Sequence, residues 1–224
     1  MKSNLTLYGS LLLLTCAIAQ AAPVLILGTP SNSYNSPPIL KPSPNLGGVL
    51  LNFDSLTALT TFSTYSSGGI AISSPDGLAV YHYSTQSGPN ELFDNSPNGS
   101  ADTFITLSQG SSYLGVGIAD SDIIPASGNP VTITLQPLTK TGADLGSAFN
   151  VTIPETGSNP GNGYFVVEDT TSDIFGLQIT QPVGNGNYSG LAIDDVQAVP
   201  EPSSLLLVAG GVAILGLFRL RKMA

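Results

Sequence analysis

One histidine, one cysteine and fifteen carboxylates are the groups in this 224-residue chain that could do acid–base, nucleophilic or metal chemistry. His82 stands between Tyr81 and Tyr83, a pattern that places it on one face of a strand. A Ser-His-Asp site would need that histidine, but no Gly-x-Ser-x-Gly elbow is present to expose a serine. One histidine without cysteine partners cannot assemble a zinc site either, so His82 is read as a structural or surface residue. The carboxylates cluster at Asp120-Ser121-Asp122, at Glu168-Asp169 with Asp173, and at Asp194-Asp195. Glycoside hydrolysis needs two carboxyl groups about 5–10 Å apart across a substrate. Position in sequence does not supply that, and aspartates in loops commonly cap turns. No catalytic residue is assigned. A hard cation such as calcium takes six to eight oxygens, largely from carboxylates and carbonyls; no EF-hand loop is present. Tyr65, Tyr81, Tyr83, Tyr113 and Tyr188 could offer stacking faces to sugars, although the chain has no tryptophan, the residue with the largest such face.

The charges are unevenly placed. Between residues 22 and 199 only Lys41 and Lys140 are basic, against fourteen of the fifteen acidic residues. So acidic and arginine-free a region is repelled by phosphate backbones, which excludes nucleic acid as a partner. Divalent cations and uncharged sugars are better company. Charged residues are only 9% of the chain, Gly numbers 25 and Pro 17, and 42% is hydrophobic. That mixture favours many short strands joined by turns over helices or wholesale disorder.

The two ends differ from the middle. Lys2, the apolar run Leu5–Ala19 and the small residues Ala19-Gln20-Ala21 form a secretory signal peptide, expected to be a helix over residues 1–21 that is cut after Ala21, with Ala19 as the next candidate. Its apolar run would enter the Sec translocon while Lys2 stays on the cytoplasmic side. Cys16, the only cysteine, lies within this run; Leu13-Leu14-Thr15-Cys16 resembles a lipobox but has Thr where a small residue precedes the cysteine, so lipidation is the minor alternative. Once the signal is removed, no disulfide and no thiol is left. At the other end, Ser203–Phe218 carries no charge. As a helix its sixteen residues would be about 24 Å long, short against a hydrocarbon core of about 30 Å. Pro200-Glu201-Pro202 bounds it on one side and Arg219, Arg221 and Lys222 on the other, so the basic end is expected to stay cytoplasmic with the preceding domain outside.

Val199-Pro200-Glu201-Pro202, the apolar run and the closing Arg219-Leu220-Arg221-Lys222 together resemble a PEP-CTERM sorting domain, here residues 199–224 with a transmembrane helix over about 203–220. The resemblance implies an exosortase-type transpeptidase as partner, removal of the tail near Pro-Glu-Pro, and delivery to the cell surface or extracellular matrix of a bacterium that makes exopolysaccharide. Pro200, Glu201, Pro202, Arg219, Arg221 and Lys222 are then a substrate motif. The prolines would keep the motif extended and out of the helix.

The elements between the ends read as strands. Residues 22–47 are a Pro/Ser/Asn-rich leader. From residue 48, period-two alternation recurs: Val49/Leu51/Phe53, Val131–Leu135, Phe149/Val151/Ile153 and Phe175/Leu177/Ile179. Further runs span 69–73, 78–83, 103–108, 113–118, 164–168 and 191–197, with turns expected at Ser74-Pro75-Asp76-Gly77, Lys140-Thr141-Gly142 and Gly184-Asn185-Gly186-Asn187. An antiparallel β-sandwich over 48–198 follows. Its opening Leu51-Asn52-Phe53-Asp54-Ser55-Leu56 and closing Leu191-Ala192-Ile193-Asp194-Asp195-Val196 resemble the first and last strands of jelly-roll domains found with this tail, which are similar in outline to carbohydrate-binding modules. In jelly rolls those strands can lie side by side, which would bring Asp54 near Asp194 or Asp195. An inward carboxylate there needs a partner: a calcium ion or backbone amides. The expected function is that of a non-catalytic surface or matrix protein associated with exopolysaccharide and biofilm. The alternatives are a carbohydrate-binding adhesin and a jelly-roll hydrolase or lyase.

Overall fold

The computed structural model describes residues 22–27, 48–82, 90–94, 101–120, 131–153, 162–171, 173–181 and 191–200. The signal segment with Cys16, Ala19 and Ala21 lies outside the described residues. So do most of the leader, Tyr83, Asp122, Tyr188, and the tail from Glu201 and Pro202 through Arg219, Arg221 and Lys222. Among the described residues no helix is long and apolar enough to cross a membrane; the expected span at 203–220 is not among them.

The described chain forms eleven strands: β1 (Val24–Leu27), β2 (Val49–Leu51), β3 (Thr61–Ser67), β4 (Ile70–His82), β5 (Asn90–Asp94) and β6 (Ala101–Asp120), then β7 (Val131–Leu138), β8 (Phe149–Ile153), β9 (Asn162–Glu168), β10 (Ile174–Gln181) and β11 (Leu191–Pro200). Every pairing is antiparallel. Two long strands take part in both layers, and β3 follows β4 across them, Thr64–Ser67 beside Ile70–Ser73 and Thr61–Phe62 beside Leu78–Ala79. Ile70–Ser73 of β4 pairs with β6, whereas Leu78–His82 pairs with β5. The first part of β6 pairs with β10 and its second part with β11 and β9. One layer therefore runs β3, β4, β6, β10, β7, β8. The other runs β4, β5, β11, β6, β9, β1, with β2 alongside β11.

Alternation decides which side chains the layers enclose. In β7 Ile133 and Leu135 are fully buried, while Thr132 and Thr134 point away, where they bond Thr152 (3.3 Å) and Asn150 (2.9 Å) of β8. Ile72, Ile105, Ile133 and Ile179 from the first layer share one core with Leu92, Val116, Phe165 and Ile193 from the second. Two antiparallel sheets with a common core make this a β-sandwich, the expected fold class.

Two expected boundaries differ. Ser74-Pro75-Asp76-Gly77 does not reverse the chain; it is the corner at which β4 leaves one layer for the other. Gly77 there has φ +85°, and the Asp76 N–H donates to Ser74 Oγ at 3.2 Å. The runs 103–108 and 113–118 are likewise one strand, β6. The leader also holds a strand: β1 pairs with β9, Val24 opposite Glu168, and turns Leu25 onto the core while Val24 and Ile26 stay exposed.

Candidate functional site

The acidic pair Asp194-Asp195 sits where β11 changes neighbours. Along one edge β11 stays on β6; along the other, Ala192–Ile193 faces β5 and Val196–Ala198 faces β2. The first and last strands of the expected domain thus do lie side by side, with Leu51 opposite Val196. At the handover the register with β6 slips from Asp194↔Gly117 to Gln197↔Gly115, so Asp195 and Val196 together face a single residue, Val116. This is a β-bulge. Asp195 takes φ +48°, a left-handed conformation that Asp tolerates better than most residues, and its N–H donates to Asp194 Oδ1 at 2.9 Å.

The bulge answers which way the aspartates face. Leu191 and Ile193 point into the core; without a bulge the same period would send Asp195 and Gln197 inward. The extra residue shifts the phase, so Val196 and Ala198 enter the core instead. Asp194, Asp195 and Gln197 are turned to the outer side of the layer, yet only 2–3% of each is exposed. The backbone amide of Asp195 is one partner of the Asp194 carboxylate.

Buried aromatic and acidic groups share this outer side. Tyr81 packs edge-on against Phe93 at 5.1 Å, beside Ala192. Continuing the β5 register sets Glu91, also buried, level with Asp194. On the far flank, Tyr164 of β9 pairs with Gly117, and its ring lies over Gly115, where a Cβ would come 2.7 Å from the ring carbon that bears the hydroxyl. Gly115 in β6 thus makes room for the tyrosine ring. Burial pushes the Tyr164 hydroxyl well above the ordinary tyrosine range, and Tyr113 and the Asp195 carboxylate push it further. Burial also raises Tyr113, opposed by the neighbouring Tyr164 hydroxyl and aided by Glu168.

Asp54 lies beyond the end of β2. The Asn90 side chain ties this stretch to β5 by donating to the carbonyls of Asp54 (3.2 Å) and Leu56 (2.9 Å). Asp54 Oδ1 is buried without a hydrogen-bond partner among the described residues. No group of three or more His, Cys, Asp or Glu among the described residues converges to hold a metal ion. Of the tyrosines weighed as a sugar platform, Tyr65 packs on Phe53 and Phe62, Tyr81 on Phe93, and Tyr113 is half-buried beside Tyr164. These three serve packing.

Among the described residues, open grooves lie on the other layer. Two adjoining grooves of about 440 Å³ each share Thr106, Leu107 and Ser108. One is closed by the 138–142 turn and Phe175, with Lys140 Nζ 5.9 Å above that ring. The other runs along Ser66–Ala71. Hydroxyls, one aromatic face and one ammonium make a surface suited to a polyhydroxylated ligand. Nothing in the sequence signals it, because Ser, Thr and Gly from separate segments build it without any distinctive spacing.

Residues 198–222 match the family described as the PEP-CTERM protein-sorting motif. No curated protein matches the chain. Among solved structures, an arabinose-bound α-L-arabinofuranosidase is similar at 14% identity and a TM-score of 0.45, over 66% of this chain and 25% of that one. The C-terminal family 22 carbohydrate-binding module of Clostridium thermocellum Xyn10B is similar at 13% identity and 0.39, over 71% of this chain and 96% of that one. An adhesin domain of the Lys-gingipain from Porphyromonas gingivalis W83 is similar at 10% identity and 0.38, over 70% and 99%. This chain spans only a quarter of the length of the arabinofuranosidase. At these scores the likeness adds nothing to the fold established by the strand pairings.

Proposed function

We propose, from the premise that residues 198–222 are a PEP-CTERM sorting motif, that this is a non-catalytic surface or matrix protein whose sandwich is released when an exosortase removes the tail. The motif marks an exported protein held transiently in the membrane. The finer reading adds a signal peptide ending at Ala21, a single membrane span with the C-terminus inside, and association with exopolysaccharide in a biofilm. The observation that carries it is the continuity of motif and fold: β11 runs into Pro200, so the tail is attached directly to the sandwich. An acidic domain with one described lysine and a hydroxyl-rich outer layer supports a hydrated, uncharged polymer as its setting. Mass spectrometry of the protein from cells with and without the sorting enzyme tests this. The expected product starts at Ala22 and ends near Pro-Glu-Pro only when the enzyme is present; a tail retained in both strains refutes sorting.

The paired grooves favour a second reading, glycan binding. Phe175→Ala should then abolish retention on a glycan array, and absence of binding to every glycan by the unsubstituted protein would remove this reading. Hydrolase or lyase activity has less support, since Asp194 and Asp195 are adjacent on one strand, buried, and linked to each other.

A further inference from the structure

We infer that the end of the sandwich bearing Val24, Ser112, Thr170 and Pro200 is the surface against which the sorting enzyme works, and that the enzyme meets a closed fold. The inference rests on the sorting reading above. Its structural basis is one row of paired residues across four strands, Val199↔Tyr113↔Glu168↔Val24. Three strand spacings separate the outer members by about 14 Å. Both export-related exits therefore leave from the same end: Ala22, the first residue after the expected signal cut, and Pro200, the first of Pro-Glu-Pro. The chain can close its sheets while both apolar segments remain in the membrane.

The motif also begins inside the fold. Ala198, where the family match starts, is 4% exposed, belongs to the core, and pairs with Leu114 on one side and Val49 on the other. Val199 is held by a side chain. Its N–H donates to Ser111 Oγ at 3.1 Å, and Ser111 Oγ donates back to its carbonyl at 2.8 Å. Pro200 has no N–H to offer. Only Glu201 and Pro202 separate this last paired residue from the uncharged run that starts at Ser203. Three extended steps reach about 11 Å at most. The opposite end of the sandwich, marked by Leu191 and Asp120, is about 30 Å further along β11. An enzyme acting on Pro-Glu-Pro must therefore touch the near end and no other. Exposed Glu168 and half-buried Asp173 make that end acidic, which opposes close contact with anionic headgroups and favours a protein surface.

The test uses the full chain with Cys16 replaced by Ser, so that an added cysteine is the only thiol. Thr170→Cys lies in an exposed turn at the near end; Thr152→Cys lies exposed on β8 of the other layer. Precursor accumulated without the enzyme is labelled with maleimide-linked polyethylene glycol, the enzyme is then induced, and tail removal is timed by mass spectrometry. The label at Thr170 should slow removal several-fold and the label at Thr152 should leave it unchanged. A flexible Gly-Ser spacer of about 20 residues between Val199 and Pro200, reaching roughly 25 Å, should restore the rate with Thr170 labelled. Equal rates for the two labels, or a spacer that restores nothing, overturn the inference. If unlabelled chain keeps its tail, the sorting reading itself fails and this one with it.

Discussion

Replacing Ser111 with Ala should loosen the sandwich at the point where the sorting motif begins. Ser111 is fully buried, and its hydroxyl serves two strands at once. It accepts the N–H groups of Tyr113 (3.2 Å) and Val199 (3.1 Å), and its one proton is shared between the carbonyls of Tyr113 (2.6 Å) and Val199 (2.8 Å). Alanine removes all of this and leaves no side-chain atom to replace it. Three hydrogen bonds at roughly 0.5–1.5 kcal/mol each give a destabilisation of about 2–4 kcal/mol. For a domain of this size that lowers Tm by about 5–12 °C. Calorimetry of the purified protein measures the shift, and amide exchange locates it: Val199 and Tyr113 should lose protection before Leu114 or Ile193 does. Thr152→Ala is the control, since its hydroxyl bonds Thr132 in solvent and should matter by less than about 0.5 kcal/mol. A Tm for Ser111→Ala within about 2 °C of the parent, or unchanged exchange at Val199, would refute the reasoning.

Four further outcomes follow from the same structure. Gly115→Ala should destabilise by about 1–3 kcal/mol because the new methyl meets the Tyr164 ring, and Tyr164→Val should rescue it in the double mutant; no rescue in denaturant melts would count against the contact. Tyr164 holds its proton more tightly folded than unfolded, so its contribution to stability is full below about pH 10, the unfolded value, and falls as pH rises beyond it. Tyr164→Phe should flatten that alkaline decline, as followed by melts across the range; an unchanged slope would exclude Tyr164 as its source. Asp195→Asn should keep the left-handed bulge within about 1 kcal/mol, whereas Asp195→Val, β-branched at φ +48°, should cost at least about 2; equal stabilities would dismiss the bulge strain. Calcium held by Asp54 with backbone carbonyls, and not by Asp54, Asp194 and Asp195 together, is a proposal supported by the buried, unpartnered Asp54 Oδ1. A saturating excess should add about 3 kcal/mol of stability and raise Tm accordingly, and superimposable melts with calcium and with chelator would reject it.

The sequence by itself determined the sorting motif at the C-terminal end and the character of many strands. Pro200-Glu201-Pro202 with Arg219/Arg221/Lys222 is a local chemical signal that needs no fold to be read. Val131–Leu135 announced a strand because alternation is also local. Thr61–Ser67 did not, since it offers Ser and Thr where apolar residues would mark an inner face, and Val24–Leu27 was hidden in a Pro-rich leader. Tertiary structure decided the rest. The corner at Pro75 and Gly77 reads as a turn until two sheets are present for one strand to join. Asp194 and Asp195 stand out in the sequence as an acidic pair, but their direction depends on a bulge that shifts phase by one residue, and a single-residue shift is set by neighbours on β6, β5 and β2. Ser111 carried no signal at all, because a serine becomes a brace only when residues 88 positions away are laid against it. Long-range pairing, unlike periodicity, is a property of the closed sheet.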